Sequence, residues 1–158
     1  MSIVKKLVDK DAIYIAGLFD GEGCISIVKD NIKIKKDDSY RTPTYTLHSN
    51  INMTNKKIIE WLSFKVGGKY YFRQKPILKN WKPTYCWHLC GEDTVSFIKQ
   101  IYPYLKIKHL QAKIAFSFAK TIDTQIGGIR KRVSLETNAK RKQLYSKMSH
   151  FNRRGIKS

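Results

Sequence analysis

The sequence predicts an α+β fold in which helices pack on one face of a sheet. Between about residues 9 and 122, segments with helical apolar spacing and segments of apolar–polar alternation follow in the order helix, strand, strand, helix, strand, strand, helix. The chain has 158 residues, of which 42% are hydrophobic. It is therefore long enough to bury a core as one domain.

The charge of the chain indicates a polyanionic partner. Lysine and arginine total 31 against 12 acidic residues, which gives a formal net charge of +19. Self-repulsion of this size destabilises a compact state unless a partner of opposite charge is present. Nucleic acid is the leading candidate. A membrane surface is the weaker one, because no single amphipathic helix gathers the basic residues.

Three absences in the sequence bear on its location. There is no run of about 18 apolar residues that could span a membrane, and no apolar segment follows a basic N-terminus. The three cysteines lack the spacing of a disulfide framework. We expect an intracellular protein, in the cytoplasm, the nucleoid or an organelle matrix, that is not secreted and has no membrane partner.

Residues 11–27 are the most informative stretch. An apolar run, for which Asp9 or Asp11 is the expected N-cap, leads to Asp20 and Glu22, each followed by glycine. Carboxylates at a helix C-terminus are disfavoured by its dipole by about 0.3–1 kcal/mol, so a positive group is expected beside them. Taken alone, this Asp-Gly-Glu-Gly run also fits an ordinary polar turn.

The same helix offers a surface for self-association. Gly17 and Gly21 are four residues apart on one face, so a second helix can approach closely there. If the partner is a second copy, two-fold symmetry brings two Glu22 carboxylates together, and like charges this close require cations between them. Oxygen ligands suit Mg²⁺ or another hard divalent ion, and paired metals can cut phosphodiesters.

The nonapeptide Ile15-Ala16-Gly17-Leu18-Phe19-Asp20-Gly21-Glu22-Gly23 resembles the motif of the LAGLIDADG homing endonucleases. The single copy implies the homodimeric branch, with the motif helices as the dimer interface, here Ala16, Gly17, Phe19, Asp20 and Gly21. The resemblance also implies that Glu22 is catalytic and binds metal with the Gly21 carbonyl, whereas Asp20 is structural. The implied cofactor is Mg²⁺ or Mn²⁺, and Ca²⁺ is expected to bind without supporting cleavage.

Two strands are expected after the first helix, on either side of a charged hairpin end or loop at residues 30–42. In the second strand the inward positions are Tyr45, Leu47, Ser49 and Ile51, and Ile25 and Ile27 face inward in the first. The outward positions are Ser26, Val28, Thr44, Thr46, His48, Asn50 and Asn52. Such side chains suit base reading in a major groove, and an ordinary polar sheet face explains them equally well.

The later elements are expected in the following places. Thr54 and Asn55 cap a helix that ends at Gly67-Gly68, and further helices cover residues 91–101 and about 109–122. The strands are residues 69–75, with aromatics on both faces, and 84–90, separated by a turn at 76–83. From these strands we add Arg73, Gln74, Lys75, Thr84 and His88 to the candidate DNA contacts. Cys86, His88 and Cys90 share a face but span too far for one zinc at ~3.3 Å per residue.

A second stretch shares a pattern with the family. Pro103, Leu105, Lys108 and Gln111 are similar to its Pro-x-Leu-x-x-Lys-x-x-Gln sequence, which implies that Lys108 is catalytic and acts near the reacting water or the transition-state charge. An exposed surface lysine is the alternative.

One departure from the family pattern stands after the second strand. Met53 occupies a place where the family often has Asn or Gln, so either Asn52 or Asn55 substitutes or that auxiliary role is absent. Lys57 is a weaker candidate for the nearby basic auxiliary.

The resemblance implies an αββαββα unit whose twisted antiparallel four-stranded sheet forms a DNA-binding saddle, with the helices on the opposite face. We expect a core domain at residues 1–126 and a basic helical C-terminal extension at 127–158. The extension helix should start at Ser134 and pack through Leu144, Tyr145 and Met148. This segment either clamps phosphates or is a flexible charged arm.

The implied function is a homing endonuclease of introns or inteins that makes a double-strand break in a long pseudo-palindromic DNA target by metal-activated hydrolysis. One rival is a binding protein that does not cleave, either an intron RNA maturase or a DNA-binding regulator. The other is a structural module that binds nucleic acid without specificity. A retained Glu22 disfavours a protein that only binds, since a carboxylate is of no use in a positive binding field.

Overall fold

A computed structural model describes residues 3–30, 43–74, 82–122 and 133–153. Its helices are α1 (Asp9–Glu22), α2 (Lys56–Val66), α3 (Glu92–Ile101), α4 (His109–Ala119) and α5 (Leu135–Asn152). Its strands are β1 (Gly23–Asp30), β2 (Thr44–Met53), β3 (Lys69–Gln74) and β4 (Thr84–Cys90). The expected α+β order is confirmed. Lys75 and most of the loops expected at 30–42 and 76–83 lie outside the described residues.

The four strands form one antiparallel sheet in the order β1-β2-β4-β3. The expected alternation of β2 is confirmed, because Tyr45, Leu47, Ser49 and Ile51 are all buried. The register also resolves β3, in which Lys69 pairs with His88 and Tyr71 with Cys86 on the outer face. This strand lies at the edge of the sheet, and Tyr70, Tyr71 and Phe72 are exposed by 43%, 49% and 45%. Neither face of β3 is therefore buried enough to impose an alternation on its sequence.

The core lies between the inner face of the sheet and the helices. Trp87 of β4 and Phe19 of α1 both pack edge-on against Phe97 of α3, with ring centroids 5.0 and 5.3 Å apart. The Trp87 indole N–H, although buried, donates to the Gly67 carbonyl at 2.8 Å. Gly67 itself adopts a φ of 95°, a conformation that favours glycine at the end of α2.

The N-terminus of α1 differs from the cap that the sequence predicts. Asp9 and Asp11 lie within the first helical turn, and the N-cap is Val8, which forms no side-chain cap. The prediction that one of the two acids caps the helix is therefore wrong. Their charges still lie where the helix dipole stabilises them, and Asp11 also forms a 3.0 Å ion pair with Lys65 of α2.

Helix α5 packs on the rest of the fold through Leu144 and Met148, which are buried in the common core. Its N-cap is Ser134, as expected, with the side chain accepting the Thr137 N–H. At its other end, Asn152 donates to the Ile25 carbonyl of β1 at 2.7 Å. Among the described residues, the structure contains no helix with the length and apolarity needed to span a membrane.

Candidate nucleic-acid interface and acidic site

The motif helix passes into β1 without an intervening loop. A Cβ atom at Gly23 would lie 2.3 Å from Phe19 Cδ2 and 2.6 Å from the Phe19 carbonyl oxygen, so only glycine fits at this junction. The Gly23 N–H donates to that same carbonyl. The junction holds Glu22 at the edge of the sheet, immediately beside the first residue of β1.

Asp20 is used inside the subunit. Its side chain is 8% exposed and accepts the backbone N–H groups of Lys106 and Ile107 at 2.6 and 3.1 Å on one oxygen, and that of Lys108 at 2.9 Å on the other. Burial opposes ionisation of Asp20, but these N–H groups and the Lys108 charge lower its pKa below the ordinary value of 3.8. Asp20 thereby fixes the start of α4 against the end of α1.

Lys108 supplies the positive group that the C-terminus of α1 calls for. Its ammonium donates to the Asp20 carbonyl at 2.5 Å, whereas the last turn of α1 itself contains no basic residue. A cation at this point offsets the negative end of the helix dipole. The contact places Lys108 close to the chain segment that carries Gly21 and Glu22.

Glu22 and Gly21 are both exposed, and within the described ranges Glu22 forms no ion pair. Gly23, the residue after Glu22, pairs with Ile51, the residue before Asn52. The Asn52 amide donates to Asn50 Oδ1 at 2.9 Å, while its own Oδ1 is buried and has no hydrogen-bond partner among the described residues. An unpaired acceptor here suits a cation or a water molecule.

The position of Met53 can be compared with the two asparagines beside it. Met53 packs against the hydrophobic core, and Asn55 is occupied as the N-cap of α2, where its side chain accepts the Ile58 N–H at 3.3 Å. Of the two asparagines, only Asn52 has a buried side-chain oxygen without a partner among the described residues. The auxiliary role of Asn52 stays a prediction.

The donor set fits a hard divalent cation, because a carboxylate, a backbone carbonyl and an amide oxygen are the ligand types that Mg²⁺ and Ca²⁺ prefer. The residues described include no group of three or more His, Cys, Asp or Glu able to hold a metal.

The structure divides the expected interface residues into two groups. Ala16, Phe19 and Asp20 are buried, so a helix packed against α1 would meet little of their side chains, and the expected dimer interface stays a prediction. Gly17 and Gly21 are exposed, and nothing lies within 4 Å of a Cβ built on either. Ile13 and Tyr14, exposed by 54% and 52%, extend this open face, and the sequence analysis missed them.

The outer face of the sheet carries the expected DNA contacts. The side chains on it that are exposed or half-exposed are Ser26, Val28, Thr44, Thr46, His48, Asn50, Asn52, Arg73, Thr84 and His88. They lie on the side of the sheet opposite the core. The side chain of Gln74 is not described, and Lys75 lies outside the described residues.

Three further residues share this face but could not be assigned to it from the sequence. Lys69 and Tyr71 of β3 lie opposite His88 and Cys86, and Cys24 of β1 lies opposite Asn50. Because β3 lacks clear alternation, only its pairing with β4 determines which of its side chains face outward. Cys86 is on the outer side as expected, yet it is only 2% exposed.

No protein-family model and no curated protein sequence matches this chain. Solved structures, in contrast, match its fold. The archaeal intron-encoded homing endonuclease I-Vdi141I, complexed with DNA, gives a TM-score of 0.70 at 15% sequence identity, over 95% of this chain and 89% of its own. The homing endonuclease I-CvuI, in complex with a DNA target in the presence of Mg, gives 0.68 at 14% identity, over 94% of this chain and 86% of its own.

The LAGLIDADG homing endonuclease I-SmaMI, bound to cleaved DNA, has a longer chain. It gives a TM-score of 0.66 at 14% identity, and the match covers 95% of this chain but 47% of I-SmaMI. The architecture and the motif at the end of α1 therefore agree, and this chain has the fold of the LAGLIDADG homing endonucleases.

Proposed function

We propose that this protein is a divalent-metal-dependent DNA endonuclease that acts as a homodimer on a long, pseudo-palindromic target. The observation that carries the proposal is the contrast between two neighbouring acids. The Asp20 carboxylate accepts hydrogen bonds from three backbone N–H groups. Glu22, in contrast, is exposed, close to Lys108 and to the polar outer face of the sheet. A carboxylate kept free in a chain of charge +19 suits catalysis on a polyanion better than binding alone.

The homodimer is supported by the open face of α1, where a Cβ built on Gly17 or Gly21 would meet nothing within 4 Å. In two copies related by two-fold symmetry, the faces with Gly17 and Gly21 would meet. The two Glu22 carboxylates would then lie at one seam, each near one strand of a duplex.

Each residue at the acidic site has a defined task in this mechanism. Glu22, the Gly21 carbonyl and Asn52 Oδ1 would hold the divalent ion, which when bound supplies Lewis-acid chemistry for phosphodiester hydrolysis. Lys108 is held near the site by the Asp20 carbonyl and would place its positive charge where negative charge develops on the phosphate. The outer face of the sheet would position the duplex through its major groove.

The first test is cleavage of a randomised duplex library by the purified protein in Mg²⁺, with a parallel reaction in Ca²⁺. Enrichment of one pseudo-palindromic site among the Mg²⁺-dependent cut ends is the expected result. If the folded protein binds nucleic acid but enriches no cut ends, the endonuclease proposal fails. Binding to structured intron RNA would then be the next measurement, since that outcome favours the maturase.

Glu22→Gln tests the metal assignment directly. The amide removes the negative charge and keeps the shape, so cutting should fall below detection while affinity for the target in Ca²⁺ stays within a few-fold. Glu92→Gln is the matched control. Glu92 is exposed in the first turn of α3, so this variant should cut the target as the unsubstituted protein does. Full cutting by the Glu22 variant would refute the role of this carboxylate.

A further inference from the structure

Two histidines form a contact on the outer face of the sheet. His48 of β2 and His88 of β4 have Nδ1 and Nε2, respectively, 2.7 Å apart, and their ring centroids are 5.0 Å apart at an interplanar angle of 32°. One of these nitrogens must donate and the other must accept. Among the described residues, His48 Nε2 and His88 Nδ1 have no hydrogen-bond partner. Neither nitrogen is fully buried.

This contact alone determines how many hydrogen-bond donors and acceptors the neutral pair leaves free. Two neutral imidazoles carry two N–H groups and two acceptor nitrogens in all. The mutual bond uses one of each, whichever tautomer is present. The pair therefore presents one donor and one acceptor to its surroundings, at His48 Nε2 and His88 Nδ1.

Adding one proton changes this inventory while the mutual bond is kept. The pair then holds three N–H groups and one acceptor nitrogen. The mutual bond uses the acceptor and one N–H, so both free nitrogens become donors. A single proton thus converts a donor–acceptor pair into a donor–donor pair without moving either ring.

The distance between the two free nitrogens is long enough for them to contact different bases. The bonded nitrogens lie between the two ring centres, so the free ones lie at the outer ends, farther apart than the 5.0 Å centroid separation. That separation exceeds the rise of about 3.4 Å between successive nucleotides of one strand. In the major groove, A and C present an amino donor, whereas G and T present a carbonyl acceptor.

Burial and neighbouring charges favour the neutral form of the pair. Burial lowers the pKa of His48, and His88 lowers it further, while Asp30 of β1 acts in the opposite direction. Burial also lowers the pKa of His88, and Lys69 of β3 adds to this effect. Further titratable residues on this face are Cys90, opposite His48 in the sheet, Cys24 of β1, Cys86 of β4 and Tyr71 of β3. DNA phosphates close to the face would favour the protonated form.

We propose that His48 and His88 read two base positions as one proton-linked unit, requiring an amino group at one of them when neutral and carbonyl or ring-nitrogen acceptors at both when protonated. This inference rests on the proposed function, because it assigns the pair to the DNA-contacting face. It predicts that the preferred target sequence itself changes with pH. Ordinary phosphate contacts would change only the overall affinity.

The test is selection of bound duplexes from a randomised library, with the full chain in Ca²⁺, at about pH 8 and about pH 5.5, on either side of the ordinary histidine pKa. At the higher pH, two base positions in each half-site should covary, with A or C at one of them. At the lower pH, both should select against C, which presents only an amino donor in the major groove, by about tenfold for a contact of this strength. Selection of no specific site at either pH would overturn the proposed function together with this inference.

A substituted protein separates the pair from other effects of pH. His48→Gln/His88→Gln should select the same bases at both pH values, because amides do not titrate in this range. His150→Gln, which removes an imidazole from α5, should keep the pH-dependent change. Circular dichroism would confirm that each variant is folded. If the unsubstituted protein selects one specific site with the same bases at both pH values, the inference fails while the proposed function stands.

Discussion

Asp20 and Glu22 are two residues apart on a helix that turns about 100° per residue, so their side chains leave it in nearly opposite directions. One direction leads to the backbone of residues 106–108 and the other to the exposed end of the sheet. The same chemical group thereby becomes a structural anchor at one position and stays exposed at the other.

Asp20→Asn should destabilise the fold by about 2 kcal/mol, because hydrogen bonds to a charged acceptor are lost and the amide offers one acceptor oxygen to three N–H groups. Urea unfolding near pH 7 measures this loss. Asp9→Asn is the matched control, since Asp9 is exposed in the first turn of the same helix and should cost about 0.3–1 kcal/mol. Equal losses in the two variants would contradict the anchoring role.

The pH dependence of stability follows from the lowered pKa of Asp20. The unfolded chain binds this proton more readily than the folded one, so stability rises with pH through the interval between the two pKa values. The contribution is complete above the unfolded value of 3.8 and is lost as the pH falls through the folded value. Unfolding curves below about pH 4 should therefore converge for the unsubstituted protein and Asp20→Asn.

Lys108→Gln should reduce the rate of cutting by about 10²-fold, the cost of losing one group that stabilises transition-state charge. Binding of the target should weaken only slightly. Lys106→Gln removes the same charge from an exposed neighbour and should leave the single-turnover rate unchanged. Measuring single-turnover rates and dissociation constants separately distinguishes the two effects, and equal rates in both variants would remove Lys108 from the catalytic site.

At the level of elements, α1 has one face in the core and one face without a partner in the subunit. Ile15, Ala16 and Phe19 are fully buried, whereas Gly17 and Gly21 have open space where a Cβ would stand. Within one subunit, glycine at an exposed helical position costs about 0.5–1 kcal/mol relative to alanine. The proposed dimer would account for both glycines, because it requires close approach of a second helix at this face.

Gly17→Leu tests that requirement. The subunit itself should become slightly more stable, because leucine is the better helix former and meets no obstruction. A partner helix would be displaced, so the dimer should dissociate at concentrations where the unsubstituted protein stays associated. Sedimentation equilibrium measures this, with Lys99→Leu, at an exposed position of α3, as the control. An unchanged dimer would place the interface elsewhere.

The elements that could be predicted are those in which burial of one face leaves a regular pattern in their own sequence. The alternation of β2 and the apolar stripe of α3 depend on burial of one face, which is visible residue by residue. The outward side of β3 could not be predicted, because exposed aromatic residues lie on both of its faces. The interface expected on α1 stays a prediction, and the motif by itself does not show which of its residues the core uses.

At the scale of the whole molecule, the site joins segments more than 80 residues apart. Lys108 was assigned by resemblance to a family pattern, but its bond to the Asp20 carbonyl depends on tertiary packing, which no local pattern encodes. The same holds for the His48–His88 contact, which the pairing of β2 with β4 creates. Charge and alternation predict that the sheet meets a polyanion; the geometry of the contacts has to come from the fold.

Helix α5 shows the same dependence on packing. The basic composition of this segment suggested an extension, and the proposed division at residues 126 and 127 stays a prediction. Leu144 and Met148, however, lie in the same core as α1 and the sheet. Arg141 also donates to the Thr121 carbonyl just beyond α4. Such contacts make α5 a contributor to the stability of the core domain, whether or not it also contacts phosphates.

Leu144→Ala should therefore lower the free energy of unfolding of the whole domain by about 2–3 kcal/mol, the usual cost of truncating a buried leucine. Leu135→Ala in the same helix is the matched control, since Leu135 is 85% exposed and Leu144 only 8%. Urea unfolding followed by tryptophan fluorescence, to which the buried Trp87 of β4 contributes, reports on the core at a distance from either substitution. A flexible arm would leave both curves unchanged, whereas a packed helix shifts the first and spares the second.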